Sequence, residues 1–195
     1  MLNAEAWKIE QARYGLPSGP DNTRIYPWVR SENIIKNLFT RSLIRNNRCL
    51  VPANGFFIGK GESTLFIYFP KNKIVTFGGV WQKLKTGDAG SYIIVFSIIS
   101  RPAYGTIARI TRRIPLVVHS GGRRKFLKKE RPLMDITRMI RKEYNLEFNG
   151  IPVSREIFTR TDISKRDFYT TRKRILTKRE FPEKEIMGSY YYYQS

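Results

Sequence analysis

Apolar and polar positions divide the chain into a helical stretch, a run of strands, two further helices and a closing strand. Across 31–45, Ile34, Ile35, Leu38, Phe39 and Leu43 fall on one face at helical spacing, which predicts an amphipathic helix. The segments 48–58, 64–69, 73–81 and 92–100 are dense in Val, Ile, Phe and Tyr. Gly, Lys, Asn and Asp separate them, as turns separate strands. Segment 114–119 reads as a further strand. Ser120-Gly121-Gly122 leads into a short helix ending near Lys129, and a second amphipathic helix over about 133–144 aligns Ile136, Met139, Ile140 and Tyr144. A strand near 150–157 closes the pattern. Residues 1–30, punctuated by Gly15, Pro17, Gly19, Pro20 and Pro27, read as irregular. Strands dominate the middle, helices flank it, and no regular β-α-β alternation appears. The expected fold is therefore α+β, with a mostly antiparallel, curved or barrel-like sheet.

Composition narrows the function. The 195 residues suffice for one domain with a tail, and 41% hydrophobic content with 13% aromatics excludes a disordered chain. No apolar run approaches the roughly 20 residues that cross a bilayer, so no membrane insertion is expected. Met1 to Lys8 has no basic segment followed by an apolar one, and the expected location is intracellular (cytoplasmic) or within a viral particle. A single cysteine, Cys49, and a single histidine, His119, leave no internal disulfide and no Cys/His zinc site; no metal or other cofactor is expected. The 36 Lys and Arg against 16 Asp and Glu give a net charge of +20, far above the roughly 2–8 that solubility asks of a small domain. Such an excess points to a polyanionic partner: nucleic acid, an anionic membrane surface or an acidic protein surface. Half of it lies in 101–145, with 13 basic and 3 acidic residues.

Candidate chemistry is sparse. Cys49 lies in an apolar strand, where a thiol is usually an inert small hydrophobe, and His119 ends a strand with no sequence-visible partner. Ser120-Gly121-Gly122-Arg123-Arg124 could offer backbone N–H groups and two guanidinium groups, with Lys125 beside them, to a phosphate; it also reads as a plain helix cap with a solvated basic face.

Asn47-Arg48-Cys49-Leu50-Val51-Pro52-Ala53-Asn54-Gly55-Phe56-Phe57 resembles the R-R-C-L-[IV]-P-A-D-G-F-Y-E-W segment of the SRAP family, the SOS-response-associated peptidases that crosslink to abasic sites in DNA. Further pieces follow in family order from about Arg13 to Ser164. Arg13–Pro17 is similar to W-G-L-x-P, Arg30–Glu32 to the end of N-A-R-x-E, and Phe77–Trp81 to F-A-G-L-W. Arg113–Pro115 is similar to the R-M-P of H-D-R-M-P, and Pro152–Ser154 to P-V-S. The resemblance implies a SRAP-like domain over 1–164 and a basic tail over 165–195.

The family's catalytic groups do not carry over. Leu2 stands where the nucleophilic cysteine follows the initiator methionine, and Trp28 stands at the Asn of N-A-R. Ile58 replaces the catalytic Glu and Thr111 the His of H-D-R. Without thiol, carboxylate or imidazole there is no nucleophile and no proton shuttle. The expectation is a pseudoenzyme, not an enzyme. Arg30 and Arg113 match the family's phosphate-contact arginines, and Arg112 adds charge where the family has Asp; Arg30 could instead pair with Glu32. The tail carries Arg172, Lys173 and Arg174 and the run Tyr190, Tyr191, Tyr192 and Tyr193, a composition suited to docking in a protein groove or on bases. Two functions fit: a structural component of a larger assembly of protein subunits, such as a nucleoprotein particle or phage virion, or a protein that binds single-stranded or damaged DNA.

Overall fold

In the computed structural model, which describes residues 2–3, 9–18, 24–59, 64–86, 90–153 and 174–175, strands begin well before the region where the sequence pattern places them. Five short ones lie in the stretch that reads as irregular: β1 (Leu2–Asn3), β2 (Arg13–Tyr14), β3 (Leu16–Ser18), β4 (Arg24–Tyr26) and β5 (Trp28–Arg30). Each has two or three residues, too few for an alternation to show. Their Gly and Pro neighbours mark the breaks between them.

Helix α1 spans Leu38–Asn46, shorter than the helix expected over 31–45. Asn37 explains the late start. Its extended backbone breaks the helix, and its side-chain oxygen accepts from the Thr40 N–H at 3.2 Å, as an N-cap does. Ser31, the expected start, instead donates its backbone N–H to the Ser100 carbonyl at 2.8 Å. The single strand expected over 48–58 is two strands, β6 (Arg48–Ala53) and β7 (Gly55–Ile58), parted at Asn54. Then come β8 (Thr64–Tyr68), β9 (Val75–Lys85) and β10 (Tyr92–Pro102). Of the strand expected over 114–119, only β11 (Arg113–Pro115) and a bridge from Val117 to Phe77 form. Helices α2 (Ser120–Leu127) and α3 (Leu133–Arg141) follow, then β12 (Asn149–Val153) and β13 (Arg174–Ile175). No helix among the described residues is long and apolar enough to cross a membrane.

The chain divides into two units. The first comprises 1–53, 75–101 and 114–143. Its sheet runs β1-β6-β9-β10-β11, with β2 and β5 also hydrogen-bonded to β10 in parallel; β6, β9 and β10 pair antiparallel. Alternation along β10 decides what each face does. Val95 and Ile99 point into a core shared with Val80, Leu50, Ile44 of α1, Phe126 and Leu127 of α2, and Ile136 and Ile140 of α3. The helices thus cover that face. Phe96 and Ile98 point the other way.

Two buried arginines tie the helices down. Arg48, 1% exposed, donates to the carbonyls of Ile44 and Arg45 at the end of α1 and of Phe126 and Lys128 at the end of α2. Arg101 does the same for α3, through the carbonyls of Arg141 and Lys142. Both place positive charge where helix carbonyls lack partners and the helix dipole is negative.

The second unit comprises 54–74, 102–113 and 144–195. Its antiparallel sheet has the order β13-β12-β8-β7. Phe66, Tyr68, Ile151 and Val153 form a core with Phe57 packed on it. Phe66 and Tyr68 stack at 6.0 Å between ring centroids. The architecture is α+β with mostly antiparallel sheets, as the pattern implied.

Candidate nucleic-acid interface

Register assembles a surface from residues far apart in sequence. On the face of the first unit's sheet opposite its helices, β10 presents Tyr92, Ile94, Phe96 and Ile98. Tyr14 lies beside Phe96, and Trp28 beside Ile98. Arg30, two residues beyond Trp28, lies beside Ser100 on the same face and is exposed. On the other flank, Lys83 pairs with Ile94 and Lys85 with Tyr92. One sheet face therefore carries a line of aromatic rings with cations at both ends.

The rings support one another. Tyr14 lies 5.4 Å from Phe96 and 6.4 Å from Trp28 between centroids, edge-on to the latter. Tyr14 is nevertheless 45% exposed, and Trp28 and Phe96 are half-buried. This partial burial pushes the Tyr14 phenol up from its ordinary pKa. Tyr92, 55% exposed, holds the Lys83 ammonium 4.7 Å from its ring centre. Cationic ends and exposed π-faces are what a single nucleic-acid strand uses: phosphates meet the cations and unpaired bases meet the rings.

Of the residues the sequence singles out, Arg30 and Trp28 join this face. The Glu32 carboxylate accepts from the Ser31 hydroxyl at 2.9 Å. Arg124 and Lys125 are exposed on α2, on the helical side of the same unit. Arg123 turns inward, and its Nε donates to the Thr76 hydroxyl at 3.1 Å. Arg112 and Arg113 belong to the second unit, the former exposed and the latter half-buried. Tail residues Arg172 and Lys173 and Tyr190 to Tyr193 lie outside the described residues. Arg174 enters only through its backbone, which pairs with Gly150.

Of the positions matching the family's catalytic groups, Ile58 and Thr111 are buried, whereas Trp28 lies on the sheet face described above. Ile58 is 8% exposed on β7, across from Leu65. Thr111 is 7% exposed; its hydroxyl donates to the Arg113 carbonyl at 3.0 Å. Cys49 is fully buried opposite Gly79, and burial pushes its thiol up, away from the reactive thiolate. Leu2 pairs through its backbone with Leu50. Sequence reasoning missed Tyr14, Tyr92, Phe96, Lys83 and Lys85. The alternating Tyr92-x-Ile94-x-Phe96 was a usable signal for an outward face, but only the register shows which strands lie beside it.

Comparison with known proteins agrees with this architecture. An abasic site processing protein of Gallus gallus, HMCES, is 26% identical over 147 residues, covering 63% of this chain; the chain spans 44% of that relative's length. Among solved structures, a protein from Bacteroides thetaiotaomicron superposes with a TM-score of 0.64 at 19% identity, over 76% of this chain and 68% of that one. A phage-related protein from Bordetella bronchiseptica superposes with a TM-score of 0.57 at 19% identity, over 73% and 70%. Residues 3–160 match the SOS response associated peptidase (SRAP) family, and the chain belongs to that family.

Proposed function

We propose that this chain is a non-catalytic SRAP protein that binds single-stranded nucleic acid, stacking bases on Tyr14, Trp28 and Phe96 and holding phosphates with Arg30, Lys83 and Lys85. The observation that carries the reading is the register that puts these six residues on one sheet face. The +20 charge supports it, as does the similarity to a relative named for processing abasic sites. Support for silence in catalysis comes from the apolar, buried Ile58, the hydrogen-bonded Thr111 and the inert Cys49.

Fluorescence anisotropy with a labelled oligothymidylate tests the binding. One stacked base is worth about 1–3 kcal/mol, so Tyr14→Ala weakens binding by about 5- to 150-fold, and Arg30→Glu weakens it further as salt is lowered. Unchanged affinity in both variants, with unchanged melting temperature, removes the sheet face from the reading. Incubation with abasic single-stranded DNA on a denaturing gel tests the chemistry; a stoichiometric, hydrolysis-resistant adduct makes the chain an enzyme after all.

A role within a larger nucleoprotein assembly, such as a virion, is the second reading. It is favoured by the basic, tyrosine-rich composition of 165–195. Truncation after Ser164 that leaves co-sedimentation with the native complex intact removes that support.

A further inference from the structure

The first unit has a second charged surface, on the helical side of its sheet. Between Ser120 and Lys142 the sequence places nine Lys and Arg against two acidic residues. One of those two, Asp135, is shared by Arg131 at 3.7 Å and Arg138 at 3.2 Å. Lys125, Lys128, Lys129, Arg138 and Arg141 are all exposed. Phe126 and Leu127 of α2, and Ile136 and Ile140 of α3, turn to the core, leaving Lys125, Arg138 and Arg141 outward, while Lys128 and Lys129 follow directly on the end of α2.

Helix-dipole compensation does not account for this density. Cations near a helix C-terminus gain from the orphan carbonyls. Some of the carbonyls at these helix ends are already served from inside, by Arg48 for α1 and α2 and by Arg101 for α3. The exposed cations outnumber the acidic residues beside them, and an external polyanion would offset their mutual repulsion. Among exposed large apolar side chains, α2 and α3 contribute only Met134 and no ring. A surface with cations and no rings suits a phosphate backbone and is blind to bases.

We infer that the α2–α3 surface binds the phosphate backbone of a second nucleic-acid segment, so that one copy of the chain bridges two segments from opposite sides of a single sheet. Strand alternation fixes the opposition, because Val95 and Ile99 face the helices while Phe96 and Ile98 face away. The bridging rests on the single-strand reading above; the helical surface stands independently of it.

The test captures a labelled 30-base-pair duplex on an immobilised oligothymidylate through the full-length protein. The wild type is expected to capture it. A variant combining Lys128→Gln, Lys129→Gln, Arg138→Gln and Arg141→Gln keeps its affinity for oligothymidylate within twofold. It loses at least tenfold in duplex capture, and its salt slope on free duplex falls by about 3.6, since each of four phosphate contacts contributes about 0.9. A Tyr14→Ala/Arg30→Glu variant shows the converse: weakened oligothymidylate binding and an unchanged duplex affinity. If wild type binds duplex through these four cations but not the single strand, the helical surface holds and the sheet-face reading fails. Retained capture in the quadruple variant overturns the inference. So does a parallel loss of oligothymidylate binding, which marks one continuous surface, or capture of an acidic protein but no duplex. Capture restored by mixing the two variants assigns the bridging to two copies and overturns the single-copy claim.

Discussion

Arg48 and Phe126 stand 78 positions apart in the chain, and the Nε of Arg48 donates to the Phe126 carbonyl at 2.5 Å in the interior of the first unit. The same guanidinium reaches Ile44 at 2.5 Å and Arg45 and Lys128 at 2.6 Å, all through backbone carbonyls. A planar fork of five donors suits four carbonyls converging from two helix ends, which a lysine ammonium could not span. Burial lowers the Arg48 pKa and the charge of Glu130 opposes that. The first residue of β6 is thus the anchor of α1 and α2.

Replacing that anchor should be costly. Arg48→Met keeps much of the side-chain length but leaves four buried carbonyls without their donor, and a loss of about 3 kcal/mol is expected. Arg48→Lys should recover less than half of it, because a point charge satisfies one helix end at a time. Urea denaturation of both variants measures the difference. A loss below about 1 kcal/mol for Arg48→Met would mean that water enters and serves the carbonyls equally well.

Two glycines make opposite demands. A Cβ on Gly55 would sit 2.3 Å from the Ile67 carbonyl oxygen, a backbone atom fixed by the β7–β8 pairing. Gly55→Ala should therefore force the strands apart at a cost of about 2 kcal/mol or more. Gly121, in the first turn of α2, has nothing within 4 Å of such a Cβ. Gly121→Ala should be neutral or stabilising by up to about 1 kcal/mol, since alanine restricts the unfolded chain. Thermal melts of the two variants in parallel check the contrast, and equal shifts would contradict it.

The strand-rich middle was legible because β9 and β10 are long enough for composition and alternation to register. The short strands β2 and β5 were not, since two or three residues carry no period and their pairing with β10 is a long-range choice. Asn37 illustrates a local signal outweighed by a periodic one. Ile34 lies on the helical stripe and is buried, yet it precedes the cap and belongs to a turn. The candidate site suffered most. Arg30 and Trp28 stood out through the family resemblance, whereas Tyr14 and Phe96 became neighbours only through register. The charge of 120–142 was visible from the start, but which side of the sheet it occupies depends on the helices burying Phe126 and Ile136.

Alkaline pH offers a separate probe of the first unit's interior. Cys49 is buried with no exposed surface, and burial raises its thiol pKa from an ordinary value of 9.0. Above about pH 9 the unfolded chain releases the thiol proton while the folded chain retains it, so the unfolded state is the one that gains. The Cys49 contribution is fully present below about pH 9 and is lost as pH rises, at up to about 1.4 kcal/mol per pH unit. Tyr14 adds in the same direction above about pH 10, but weakly, because nearly half its surface meets water. Unfolding free energies of the wild type and Cys49→Ala between pH 8 and pH 10 isolate the thiol. The wild type should lose stability more steeply than the variant above pH 9, and native protein at pH 8 should resist alkylation until denaturant is added. Parallel pH profiles, or rapid alkylation of the folded chain, would show that Cys49 is reachable and that the pairing of β6 with β9 opens readily around Gly79.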